Sequence, residues 1–281
     1  NNGKKMTVDG IEKKSAGDYL GALYTVEFSS EDIGLINGPP SGRRAAMDLF
    51  IAQLEEKYLA ALKQYYKILK QKNAALAGIR NGNMSKDGLA VWNQKLAETG
   101  AEIIRTRWGI INKLSAAAAF INTRISGQNN ELLMAYKTFI GGMIDEMSDK
   151  ELLDKIREKI ENVSKYEIKY GMALAGPHRD DMVFSLMGAD AKKFCSYGQK
   201  KTIVLSLRIA MADYIMSSKN EPPVLLMDDV FSELDNTRID ILNGFFRQSN
   251  NQLFISALTA DSAGYMGKIF HIENGAIHET A

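Results

Sequence analysis

Cysteine occurs once in this 281-residue sequence, at Cys195. A disulfide framework is therefore excluded, and a reducing cytoplasm is the natural compartment. Histidine occurs three times, at His178, His271 and His278, without a spacing that would hold a metal. No apolar run approaches the roughly 20 residues that a membrane-spanning helix needs. The opening Asn-Asn-Gly-Lys-Lys leads straight into polar sequence, without the pattern of a signal peptide. Excess charge is lacking too, since 35 basic and 34 acidic residues leave a net +1. The whole chain is thus no electrostatic magnet for nucleic acid, and any such contact must come from a local patch. What is there is 45% hydrophobic and 25% charged, enough for one large or two ordinary domains.

Three zones separate by pattern. Residues 1–44 are mixed. Met6–Ile11 reads as a hairpin around Asp9-Gly10, Leu23–Phe28 as a strand, Ser29-Ser30 as a helix start and Gly38-Pro39-Pro40 as a breaker. A chain that begins without Met on a hairpin reads as part of something longer. Residues 45–165 are expected to be helical almost throughout. Met47, Ile51, Leu54, Tyr58, Ala61, Tyr65 and Ile68 form a heptad seam. After a turn at Gly78–Gly88, a second seam runs through Trp92, Leu96, Ile103, Ile110, Leu114, Ile121 and Ile125, with Thr99 and Thr106 in weaker slots. Each helix would be about 45–55 Å long, which suggests an arm, although seams alone also fit a plain bundle. Two more helices are expected at Leu132–Met147 and Leu152–Val163.

Residues 166–281 switch to α/β. Lys169–Leu174, Met182–Leu186, Val224–Met227, Gln252–Ser256 and Lys268–Ile272 read as strands, and Gln199–Ser217 and Asn236–Gln248 as helices. Val224–Met227 is a buried run that delivers Asp228 and Asp229 at its carboxyl end, where open α/β sheets bind ligands. One carboxylate there suits Mg²⁺, and a second could orient an attacking water. Val230-Phe231-Ser232-Glu233-Leu234-Asp235 follows. Ser196-Tyr197-Gly198-Gln199 heads a long apolar-periodic helix. Ser-x-x-Gln is a capping box, and the same helix end offers free N–H groups to a phosphate, with Gly198 allowing close approach.

Ser-x-Gly-Gln followed by about 30 residues and then Asp-Asp and Ser-Glu-Leu-Asp resembles the heads of ABC-type ATPases. Within them the chain resembles the RecF family. Gly176-Pro177-His178-Arg179-Asp180-Asp181, Phe28-Ser29-Ser30-Glu31-Asp32-Ile33 and Gly38-Pro39-Pro40-Ser41-Gly42-Arg43-Arg44 fit the same family in the same order. The family has Pro where Ser30 stands. The resemblance implies an α/β ABC-type head: residues 1–44 and 166–281 in the head, and residues 45–165 as an inserted helical, coiled-coil-like arm.

It further implies ATP and Mg²⁺ as cofactors. Ser196, Gly198 and Gln199 would be the signature motif facing the γ-phosphate held by a second subunit. Asp228 would serve the metal and Asp229 the water. Glu233 and Asp235 would lie in the loop that crosses the dimer interface. Transporter ATPases carry a switch His after the strand at Gln252–Ser256, whereas this chain offers Ala257-Leu258-Thr259, with Thr259 as a γ-phosphate contact. No G-x-x-x-x-G-K-[ST] phosphate loop occurs, so the resemblance sets that loop upstream of Asn1, and the 281 residues alone are expected to bind ATP weakly. The implied function is a recombination mediator with slow ATP turnover. It would form an ATP-dependent homodimer, engage DNA at single-strand gaps, work with RecR and RecO, and have no membrane partner. The alternatives are a structural head like those of chromosome-maintenance proteins and a transporter ATPase subunit. The lysine groups at 63, 67, 70 and 72 and at 192, 193, 200 and 201 read as solvated faces, and the second is also a candidate DNA contact. Arg43 and Arg44 would cap or pair locally.

Overall fold

The structure, a computed structural model, describes residues 5–13, 16–127, 130–232, 234–258 and 267–279. Asp9 and Gly10 take φ of 50° and 78°. This is the turn that lets β1 (Thr7–Val8) fold back on β2 (Ile11–Glu12). β3 (Thr25–Phe28) leads into a 3-10 turn at Ser30–Ile33 and a short α1 (Gly34–Asn37). α2 (Pro40–Leu54) starts with proline at its first position, where no N–H is needed.

The first seam is buried at every position from Met47 to Ile68. It is nevertheless carried by two helices, because Glu55 turns extended (φ −125°, ψ 99°) between α2 and α3 (Glu56–Arg80). α4 (Leu89–Ser126) is unbroken over 38 residues and stops at Gly127, whose φ of 64° is the left-handed cap. Leu96, Thr99, Ile103, Ile110, Leu114, Ile121 and Ile125 are buried as the second seam requires, while Trp92 and Thr106 are half-buried. Ile104, Arg107 and Ile111 are buried beside them, because α4 is covered by α3 and by several later elements.

The expected helix at Leu132–Met147 is instead a strand, β4 (Leu132–Lys137). Leu132, Met134 and Tyr136 are buried while Leu133 is 53% exposed. That two-residue alternation lies inside an apolar run too short to declare its period. α5 (Asp149–Tyr170) begins on a reciprocal Ser148/Glu151 cap and ends at Gly171 with φ 71°. It therefore takes in the first two residues of the strand expected at Lys169–Leu174, and no strand forms in the rest. β5 (Asp181–Leu186) pairs antiparallel with β4, and β6 (Ala189–Asp190) completes that sheet.

α6 (Ala191–Phe194) precedes α7 (Tyr197–Lys219), which closes on Asn220. β7 (Val224–Asp228) lies between β3 and β8 (Leu253–Ser256), all parallel, with α8 (Asn236–Gln248) as the crossover. β9 (Phe270–Glu273) and β10 (Ala276–Glu279) form a hairpin about Asn274-Gly275. One hydrophobic cluster runs from Val26 through the helical seams to Phe246. Among the described residues no helix is long and apolar enough to cross a membrane.

Candidate functional site

Three parallel strands end side by side. In register, Phe28 pairs with Met227, and Asp228 with Ser256. The carboxyl edge therefore carries Ser29, the Asp228-Asp229 pair and Ser256 together. Asp228 is exposed, and its Oδ1 accepts a short hydrogen bond from the Ser256 hydroxyl. The Asp229 N–H donates to the Ser256 hydroxyl at 3.0 Å and to its carbonyl at 3.2 Å. Asp229 itself is left-handed, with φ 49°. A non-glycine residue in that region costs about 1 kcal/mol or more, so its surroundings must hold it there. Val230 (0% exposed) and Phe231 (5%) enter the core just beyond and anchor the turn.

Asp228 is a hard oxygen donor at an open strand end, which suits Mg²⁺ held mainly by water and phosphate. Among the described residues no cluster of three or more His, Cys, Asp and Glu forms a metal cage. Asp235 caps α8 by accepting from the Arg238 N–H at 2.9 Å. Glu233 and Thr259 lie outside the described residues.

The capping box at the start of α7 forms as expected. The Gln199 N–H donates to Ser196 Oγ at 3.2 Å, and the Ser196 N–H to Gln199 Oε1 at 2.8 Å. Ser196 and Gln199 are exposed, as are Phe194 and Tyr197 on either side of Ser196. A Cβ added to Gly198 would meet no atom within 4 Å. Nothing inside the chain demands glycine there, and the open side of the helix end faces outward. Burial raises the Cys195 thiol, which marks it as a packed residue rather than a reactive one.

The Ser196–Gln199 turn and the Asp228-Asp229 turn do not meet through Ser196. They meet through Lys201, one helical turn further on. Lys201 is 2% exposed. Its Nζ donates to the Ser232 carbonyl at 2.5 Å, to Ser232 Oγ at 2.7 Å and to the Asp229 carbonyl at 3.2 Å. Of the second lysine group, then, Lys201 is withdrawn from any outside contact. Lys200 is held by Asn37 Oδ1 and the Lys192 carbonyl, at 2.9 and 3.0 Å. In the first group Lys72 is likewise buried, 2.7 Å from the buried Glu167 carboxylate. Further along α7, Arg208 forms a two-pronged pair with Asp32, with Nη2–Oδ1 at 2.7 Å.

Gly176–Asp181 is an internal hub. A Cβ on Gly176 would stand 2.1 Å from the Tyr65 hydroxyl, and φ is 142°, so only glycine fits. His178 Nδ1 shares a hydrogen bond of 2.6 Å with that hydroxyl. Burial pushes His178 down to about 4, a neutral structural imidazole. Asp180 accepts from the Tyr136 hydroxyl and, at 2.7 Å, from the Phe139 N–H. Burial pushes its carboxyl up to about 6, against the pull of these two donors. Arg43 grips Asp181 with two bonds, at 2.7 and 2.8 Å, and Arg44 donates to the Asp180 carbonyl at 2.6 Å. Arg43 also donates to the nearby Gly38 carbonyl at 2.9 Å, so it caps locally as expected and pairs across the fold as well, whereas Arg44 reaches across the fold.

Lys201, Ser256 and Arg107 escape sequence reasoning, because their partners lie far along the chain and no local pattern announces them.

The comparisons with known proteins come down on one family. The DNA replication and repair protein RecF of Halothermothrix orenii is 35% identical over 283 residues, covering 98% of this chain and 74% of that protein. RecF of Lysinibacillus sphaericus is 33% identical over 284 residues, covering 99% and 76%. The solved structure of the recombination mediator RecF with ATP, in the RecFOR pathway, superposes with a TM-score of 0.88 at 31% identity, over 99% of this chain and 73% of that one. An Smc head domain from Pyrococcus furiosus superposes at 0.51 with 12% identity, over 97% and 67%, a likeness of fold alone. No protein-family model matches the chain.

Proposed function

Since this chain belongs to the RecF family of DNA replication and repair proteins, we propose that it acts as an ATP-dependent recombination mediator. Two copies bring their heads together around ATP. Ser196, Gly198 and Gln199 of one copy meet the γ-phosphate of nucleotide held by the other. Asp228 stands by Mg²⁺, which supplies charge neutralisation at the phosphates, and Asp229 orients the attacking water. Glu233 and Asp235 serve the joint between the copies, and Thr259 is a contact for the γ-phosphate. The assembled dimer engages DNA at single-strand gaps, works with RecR and RecO to help load the recombinase, and is reset by slow hydrolysis.

The observation that carries this reading is Gly198. It heads an exposed helix N-terminus, and among the described residues nothing beyond its neighbours and its own helix backbone lies within 4 Å of a would-be Cβ. A glycine in the first turn of a helix costs stability relative to alanine, and no internal contact requires it here. An external group that must come close to the backbone explains it, and a helix N-terminus is built to receive an anion. The Asp228-Asp229 turn supplies the opposite chemistry, exposed oxygen donors on a strand edge.

Sedimentation of the full-length protein with and without ATP, on gapped and on blunt duplex DNA, tests the reading. A dimer that appears with ATP and prefers gapped DNA is expected. A protein that stays monomeric in ATP and binds both DNAs equally would overturn it.

A further inference from the structure

Lys201 is a cation with almost no solvent, placed between two segments of the candidate site. Its Nζ lies 2.5–3.2 Å from three oxygens that span the turn after β7: the Asp229 carbonyl, the Ser232 carbonyl and the Ser232 hydroxyl. The Ser232 hydroxyl in turn donates to the Asp229 carbonyl at 3.0 Å. Phe28 of β3 closes the other side, its ring centre 5.9 Å from Nζ. The turn is thus clamped from two directions, with Ser256 holding the N–H of Asp229 and Lys201 holding its carbonyl. Two bonds on opposite ends of one residue fix its peptide planes, and with them the direction of its side chain. That is how a left-handed aspartate at φ 49° is kept in place.

The other end of this clamp is α7 itself. Lys201 lies five positions after Ser196, within the first turns of the same helix. A helix moves as a stiff body over that length, so a displacement of its capped end carries the Lys201 stem with it. Hydrogen bonds of this length to main-chain oxygens do not stretch freely. The Asp229–Ser232 turn must follow or lose its clamp.

We propose that Lys201 is a positioning residue that couples the two halves of the site within one chain. Contact of a phosphate with the Ser196 end of α7 sets the orientation of Asp229, so each nucleotide in a dimer governs the hydrolytic carboxylate serving the other. This rests on the ATP-bridged reading above.

The test uses the full-length protein with Lys201→Met and Lys201→Arg, near in length and differing in charge. ATP affinity, ATP-dependent dimerisation, kcat and amide hydrogen exchange at residues 229–232 are measured. Lys201→Met should leave affinity and dimerisation within about twofold while kcat falls by about 10²-fold, the usual effect of misplacing a reacting group by an ångström. Exchange at 229–232 should rise. Lys201→Arg should restore a large part of kcat, a rescue that a role in stability alone would not produce. A folded Lys201→Met protein with unchanged kcat overturns the coupling and leaves the ATP-bridged reading standing. Absence of ATP-dependent dimerisation and turnover in the unaltered protein overturns both. Should Lys201→Met fail to fold, Ser232→Ala removes the hydroxyl acceptor of Lys201, and a kcat that does not fall in that variant overturns the coupling equally.

Discussion

Arg107 in the middle of α4 and Asp48 in α2 form a two-pronged, buried ion pair, with Nε–Oδ1 and Nη2–Oδ2 both at 2.9 Å. Arg107 is 2% exposed and also donates to the Pro177 carbonyl at 2.9 Å and shares its Nε with the Tyr58 hydroxyl at 3.0 Å. One side chain thus ties α2, α3, α4 and the Gly176–Asp181 hub together. Removing it leaves the buried Asp48 carboxylate with the Tyr58 hydroxyl but no counter-charge, and takes a donor from the Pro177 carbonyl. Arg107→Met should therefore cost about 3–5 kcal/mol, and adding Asp48→Leu should recover part of that loss. Urea unfolding midpoints of the single and double variants check this, and a single-variant loss below about 1 kcal/mol would contradict it.

The hub should also hide two opposing proton equilibria. The folded value of Asp180 is raised to about 6, so its contribution is full below the unfolded value and is lost as pH rises through 6. The folded value of His178 is lowered to about 4, so its contribution is full above the unfolded value and is lost as pH falls through 4. Between these limits the two slopes run in opposite directions, each amounting to roughly 3 kcal/mol across its window. Asp180→Asn should unmask His178, so that stability falls more steeply than in the parent from pH 6.5 to 4. His178→Gln should tilt the curve the other way. Denaturant midpoints across pH 4–7 read the slopes, and parallel curves for all three proteins would refute the assignment.

Asp229→Asn in the full-length protein should keep ATP binding, because Asp228 remains. Hydrolysis should slow by about 10²-fold or more, the usual weight of a general base, and the dimer should persist on ATP. Single-turnover kinetics measure this, and unchanged turnover would reduce Asp229 to a strand-end carboxylate.

Ser196 separates a helix cap from a phosphate contact. Ser196→Ala should cost about 1 kcal/mol of stability, as loss of a cap does. Ser196→Arg should leave the monomer folded and still able to bind ATP, but its bulk would stand where the second copy's nucleotide arrives. ATP-dependent dimerisation and ATP-stimulated DNA binding should vanish together. A dimer that survives Ser196→Arg leaves the capping box as the whole explanation.

Much of this was legible before the fold was known, for physical reasons. The Met47–Ile68 seam was readable because burial repeats along a helix at a fixed period, and α7, β7 and α8 because their boundaries carry a cap, a proline pair and an aspartate. β4 was misread because five successive apolar residues hold too few periods to distinguish two from 3.6. The strand expected at Lys169–Leu174 failed because Gly171 is a helix cap within it, and the last turn of α5 is apolar on one face only. At the site, the strand-end carboxylates and the Ser196 cap are local patterns and were visible. Lys201 read as one of four lysines on a solvated face and candidate DNA contact, because nothing local reveals that its partners include the oxygens of a turn some 30 residues on. Lys72 read as part of a solvated face and Arg107 drew no reading at all, for the same reason.

α4 has one end against α5, around Ala90–Gln94, and the other against α7 and α8, where Lys113 lies over Tyr214 and Arg124 over Phe245. Its 38 residues make a rod of about 57 Å. Geometry then gives it a gear ratio: each degree of tilt at the α7 end becomes about 1 Å of travel at the far tip. A tilt of one degree at the α7 end is thus a displacement of about an ångström at the Leu89 end, large enough for a probe placed there to read.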